Sequence, residues 1–115
     1  MGEISKITQK IRKFRDQRDW KQFHNHKDVA LSLVLEASEV LEHFQWKSPS
    51  EVERHGQEAK EELSDELADV AIYLLELTDN LGIDLPKAIE AKMKKNALKY
   101  PVEKAKGRHT KYNKL

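Results

Sequence analysis

Apolar residues recur along the chain at intervals of three and four, and this spacing predicts helices nearly throughout. Ile4, Ile7, Ile11 and Phe14 mark the first, over about 3–21. A second is expected over about 28–47, with Asp28 as its N-cap. Ser48-Pro49-Ser50-Glu51 then breaks the pattern and restarts a helix, which Gly56 can interrupt, so that 50–55 reads as a separate short turn. The third main helix runs over about 57–81 and stops at Gly82, a suitable C-terminal residue. Asp84 caps a fourth over about 84–99, with Pro86 in its first turn. Alternation of period two is nearly absent and Gly and Pro total only seven, so strands are not expected. The expectation is an all-α four-helix bundle forming one domain over 1–115, with a basic tail from about 101 to 115.

The second helix is unusual because it is apolar on several sides. On a helical wheel Val29, Leu33 and Val40 flank Glu36, while Leu35 and Trp46 flank Glu39. Leu31, Val34 and Leu41 cover the far side. A helix apolar nearly all round is expected to be buried. In the third helix Ala68, Ala71, Ile72 and Leu75 also lie away from the acids. One bundle of this size does not cover so many apolar faces, and at least a dimer is expected.

Within these two helices stand two acidic pairs, Glu36-x-x-Glu39 and Glu66-x-x-Asp69. A spacing of three puts both acids of a pair on one face. Carboxylates gathered in an apolar setting are costly unless a cation neutralises them. Four acids with no Cys or His among them select a hard cation, Mg²⁺ or Mn²⁺. A helical di-iron site would require Glu-x-x-His, and no histidine here has Glu three positions before it. Glu62-x-x-Asp65 is a second register of the same motif. The apolar run Val70-Ala71-Ile72-Tyr73-Leu74 favours Glu66 and Asp69, with Glu62 kept as an extra ligand or water-activating base. Tyr73 shares the face of these acids, whereas Glu58 and Glu61 read as a solvated surface.

Composition adds a charge pattern. Of 115 residues 36% are charged and 38% hydrophobic, and the net charge is +1. Residues 1–28 carry eight Lys/Arg against four Asp/Glu, 29–90 four against fifteen, and 91–115 nine against one. An acidic centre between basic ends suits a metal-bound polyphosphate, although charge runs on helices are often only solvated faces. The absence of cysteine excludes disulfides and thiolate metal sites. With no signal-like or membrane-length apolar run, a cytoplasmic location is expected. Trp20 and Phe23 can stack on a base, but spacing alone favours core packing. His24, His26, His55 and His109 lack metal-ligand spacing and read as structural or exposed.

An ordered set of motifs resembles the MazG-like all-α nucleoside triphosphate pyrophosphohydrolases, and within them the dCTP pyrophosphatase branch. The set runs Trp20-x-x-Phe23-His24, Leu31-x-Leu33-x-x-Glu36-Ala37-x-Glu39-x-x-Glu42, and Phe44-Gln45-Trp46. It continues through Glu66-Leu67-Ala68-Asp69-Val70-Ala71-Ile72-Tyr73-Leu74, Ile83-Asp84-Leu85-Pro86 and Lys92-Met93-x-x-Asn96-x-x-x-Tyr100-Pro101. The likeness extends from about Phe14 to Tyr112. One departure is His26-Lys27-Asp28, where the branch more often has Pro before the basic residue and Asn after it.

The resemblance implies Mg²⁺-dependent hydrolysis of a (deoxy)nucleoside triphosphate to monophosphate and pyrophosphate, by a dimer or tetramer that clears unwanted nucleotides. It implies that Glu36, Glu39, Glu66 and Asp69 bind Mg²⁺, that Tyr73, Lys92 and Asn96 contact nucleotide, and that Trp20, His24 and Trp46 line a base pocket. Glu39 and Glu62 are the candidate proton acceptors for the attacking water. A nucleoside triphosphate and a second copy of the chain are the expected partners, with neither nucleic acid nor membrane. The competing class is a non-enzymatic helical binding module using the basic ends. A phosphohydrolase of the same fold acting on another pyrophosphate would keep the acids and differ around Trp20, His24 and Trp46.

Overall fold

The computed structural model describes residues 2–115, and every regular element among them is helical. The α-helices are α1 Glu3–Gln17, α2 His26–Glu42, α3 Pro49–Glu58, α4 Lys60–Asn80, α5 Leu85–Lys99 and α6 Val102–Ala105. Single 3₁₀ turns lie at Lys21–Phe23 and Tyr112–Lys114. One compact unit ends at Gly82, and a second runs from Ile83 to Leu115. No helix among the described residues is long and apolar enough to cross a membrane.

Cap chemistry sets most boundaries, and it moves several expected ones. α1 stops short of residue 21 because Asp19 turns left-handed (φ 54°), a conformation that Asp tolerates better than most residues. Asn25, not Asp28, caps α2. Its side chain accepts from the Asp28 backbone N–H at 2.9 Å and donates to the Asp28 carboxylate at 2.8 Å. Asp28 thus completes a reciprocal cap from inside the helix, which starts two residues early. The segment read as a short turn is a ten-residue helix, α3, with a capping box between Ser48 and Glu51 and Pro49 in its first turn. Gly56 lies inside α3, and the break falls at Ala59. Gly82 takes φ 69° just beyond α4, and Asp84 caps α5 on the Lys87 N–H, both as expected.

In the first unit α4 is the central element. It packs most extensively on α2 and also on α1 and α3. Val29 of α2 and Leu63 and Leu75 of α4 are the buried apolar residues. The other faces of α2 are not buried: Leu31, Val34, Leu35 and Leu41 are each more than half exposed in the isolated chain. The expectation of a helix buried nearly all round therefore does not hold within one copy, because α4 can cover only one of its sides.

Two arginines fasten α1 to the end of α4. Arg12 grips Asp79 with two hydrogen bonds, Nε to Oδ2 at 2.9 Å and Nη2 to Oδ1 at 2.6 Å. Arg12 holds the Asp79 carboxyl below its ordinary value, first through these bonds and then, against some burial, through its charge. A lowered carboxyl pKa stabilises the fold above the unfolded value of about 3.9, and the contribution is lost as pH falls through the folded value. Asp79→Asn is expected to lower unfolding free energy by about 1 kcal/mol at pH 7, since the pair is half exposed on the arginine side. Denaturation titrations should show this deficit shrinking on the acid limb. A deficit independent of pH would remove the ion pair from the account.

Candidate active site

The two acidic pairs come together where α2 crosses α4. Glu36 feels the charges of Glu39, Asp69 and Glu66, and shares a side-chain hydrogen bond with Glu39. Burial first, and then these three acids, push its carboxyl above the ordinary glutamate value. Tyr73, one turn beyond Asp69 and half-buried, is also raised, mainly by burial and then by Glu36, Asp69 and Glu76, against a hydrogen bond with Ser32. The wheel positions read from sequence thus converge in space for Glu36, Glu39, Glu66, Asp69 and Tyr73. Glu62 lies exposed one turn before Glu66 and is not among the charges acting on Glu36.

Two of these acids have an unanswered oxygen. Glu36 Oε2 and Glu66 Oε2 are buried without a hydrogen-bond partner. A carboxylate oxygen only accepts, and a buried one left unpaired is costly. A hard divalent cation would satisfy both oxygens and offset the mutual repulsion, so the donor set fits such an ion. Among the described residues no three acidic or histidine side chains converge closely enough to hold an ion as they stand. The acids are neighbours, not a closed ligand shell.

Sequence reasoning missed what surrounds this cluster. His43, at the C-terminal end of α2, places Nε2 2.5 Å from Glu66 Oε2, although no well-directed hydrogen bond reaches that oxygen. His43 Nδ1 lies 2.7 Å from His55 Nε2 of α3. His55, read as structural or exposed, is half-buried in this contact. Further along α4 stands a second buried acid, Glu76, only 4% exposed. Its Oε1 meets His24 Nδ1 at 2.7 Å and the Arg15 guanidinium at 3.8 Å, while Oε2 has no partner. Arg15, equally buried, also donates to Asn80 at 2.9 Å and Asp16 at 3.0 Å. The sequence did carry a signal for Glu76, an acid inside the apolar run Ile72 to Leu77, and for Arg15, which continues the stripe of Ile4 and Ile11.

His24 and Arg15 also line a cavity of about 440 Å³, with Arg12, Lys21 and His26 on its wall beside Asp79 and Asn80. None of the four clustered acids lines it. Trp20 is partly exposed, edge-on to Phe14 at 5.9 Å and 6.3 Å from the His24 ring. Trp46 is 92% exposed and has a left-handed backbone, φ 66°. A bulky residue held in that region and facing solvent is the kind of strain that accompanies binding. Lys92 and Asn96 lie one turn apart on α5 of the second unit, both exposed.

The model of the MazG-like family matches residues 31–115, which spans the four clustered acids and all of the second unit. The chain is 42% identical over 104 residues to dCTP pyrophosphatase 1 of Rattus norvegicus, covering 89% of this chain and 61% of that protein. The Homo sapiens protein of the same name is 40% identical over the same span. The chain therefore spans about three-fifths of the length of these curated relatives. Among solved structures a pyrophosphatase from Archaeoglobus fulgidus superposes with a TM-score of 0.84 at 39% identity, covering 88% of this chain and 94% of that one. With most of its length under that family model and the same helical fold as a relative of this identity, the chain belongs to the MazG-like family.

Proposed function

We propose that this chain is a divalent-cation-dependent nucleotide pyrophosphohydrolase that converts a (deoxy)nucleoside triphosphate, dCTP foremost, to monophosphate and pyrophosphate. The observation that carries this reading is the four-carboxylate cluster, in which the buried Glu36 Oε2 has no hydrogen-bond partner and Glu66 Oε2 has no well-directed bond, only the nearby His43 ring. Glu36, Glu39, Glu66 and Asp69 would hold Mg²⁺, with Mn²⁺ as the other hard cation suited to oxygen ligands. Bound there, the ion supplies positive charge against the phosphoryl oxygens. Glu39 or Glu62, both exposed, accepts the proton of a water that attacks the α-phosphorus as its bond to the bridging oxygen breaks. Tyr73, on the same face, would contact the nucleotide.

Trp46, exposed on a strained backbone, and Trp20 beside His24 offer aromatic faces for a base. The cationic cavity beside His24 suits the substrate's negative charge. Lys92 and Asn96, at i and i+4 of α5, supply a charge and an amide toward phosphate by the family likeness. The dCTP preference is taken from the relatives' names, and clearing unwanted nucleotides from the cytoplasmic pool is the role that follows. The apolar faces of Leu31, Val34 and Leu41, open in one copy, support a homo-oligomer, dimer or tetramer.

The test is product analysis with each common NTP and dNTP, with Mg²⁺ and with chelator, on protein whose mass is measured by light scattering. Monophosphate plus pyrophosphate is expected only with metal, from a particle at least twice the 13.4 kDa chain. Diphosphate plus phosphate would overturn the point of attack. No turnover, with metal-independent nucleic-acid binding that falls steeply with salt, would replace the enzyme by a binding module.

A further inference from the structure

We propose that His43, with His55 behind it, is a positioning residue that fixes the Glu66 carboxylate for the divalent cation, an inference that rests on the metal reading above. The three side chains come from three places in the first unit: His43 just past the end of α2, His55 from α3, Glu66 from α4. Glu66 Oε2 lies 2.5 Å from His43 Nε2, and His43 Nδ1 lies 2.7 Å from His55 Nε2. The imidazoles sit 4.9 Å apart, and Phe44 packs edge-on against His55 at 5.9 Å. His43 is only 15% exposed at its side chain.

We assign this chain one order of donors and acceptors. A carboxylate only accepts, so in this assignment His43, whose Nε2 lies beside it, carries a proton there. Nδ1 of His43 is then the acceptor of the pair, and His55 presents Nε2–H to it. The result is a relay of two imidazoles pointing at one carboxylate. Its end is an oxygen that no well-directed bond yet satisfies, so the imidazole restrains Glu66 by proximity and leaves it able to turn onto an ion. Partners of this kind orient metal ligands, and their removal weakens metal binding without touching the ion.

The test uses the full chain with Mn²⁺ alone, free ion being counted by its electron paramagnetic resonance signal. His43→Leu is expected to weaken Mn²⁺ binding about 10- to 100-fold. His43→Gln, whose amide can still donate to a carboxylate, should recover most of the loss. His55→Phe, which keeps bulk but removes the donor behind His43, should fall between. Melting is followed in parallel: a lower melting temperature with unchanged Mn²⁺ affinity makes both residues packing only and overturns the inference. Nitrogen-15 NMR of labelled histidine in the wild-type chain does not depend on any variant folding. It should show both rings protonated at Nε2 and no proton on His43 Nδ1, and a proton on His43 Nδ1 would overturn the relay. Wild-type chain that binds no Mn²⁺ would sink the metal reading and the inference together. Tight wild-type binding matched by His43→Leu would sink only the inference.

Discussion

Asp69→Asn and Glu39→Gln are each expected to lower turnover on the order of 10³-fold while leaving helicity and assembly unchanged. The size follows from charge placement: a cation's help to phosphoryl transfer is worth several kcal/mol, and each ~1.4 kcal/mol is tenfold in rate. The intact fold follows from the same geometry. These acids repel one another, and after burial it is their charge that lifts the Glu36 carboxyl. An amide in place of either side chain removes a like charge from the cluster, and both positions are exposed in the single chain. Turnover is measured under saturating metal, with far-ultraviolet circular dichroism and light scattering on the same samples. Loss of helicity or of assembly in both variants would make the acids structural, and the proposed site would fall with them.

Arg15→Ala is the largest stability loss expected, about 3–5 kcal/mol. The arginine is 4% exposed, as is the Glu76 that it faces at 3.8 Å. Truncation leaves Glu76 buried with His24 as its remaining close partner and strands the Asn80 side-chain oxygen. Most of the loss is therefore the cost of a buried carboxylate that has lost the guanidinium and keeps only His24 beside it, not the value of the bond removed. Glu76→Gln in the Arg15→Ala background should recover part of it, since a neutral amide is cheaper to bury. Urea unfolding of the single and double variants reads this directly. Against typical domain stabilities of about 5–15 kcal/mol, the single variant stands near the edge of folding. A loss below about 1 kcal/mol would show that His24 alone neutralises Glu76.

Helical class, the acidic pairs and the face shared with Tyr73 were legible in the chain because they depend on local periodicity. A spacing of three puts Glu36 with Glu39, and Glu66 with Asp69, whatever else folds around them. Gly82 and Asp84 were legible for a similar reason, each being suited by its own chemistry to one terminus position. Asn25 and Asp28 show where such reasoning stops. Both residues cap well, and the pair settles its roles by a reciprocal bond that composition does not order.

Tertiary structure decided the rest, because the decisive contacts join residues with no common period. His43 and His55 lie twelve apart, one just past α2 and the other on α3, and meet only when α3 folds back beside α2 and α4. Arg15 and Glu76 stand in separate stretches of the sequence; packed, they are a buried pair. The sidedness of α2 was misjudged because a helical wheel counts apolar positions but not the neighbours available to cover them. By itself, then, the sequence determined the helical class and which acids share a face, since both follow from repeats of three and four. Only the packed chain decided which acids keep an unanswered oxygen and which histidines stand behind them, since burial and partner choice belong to residues brought together from distant parts of the chain.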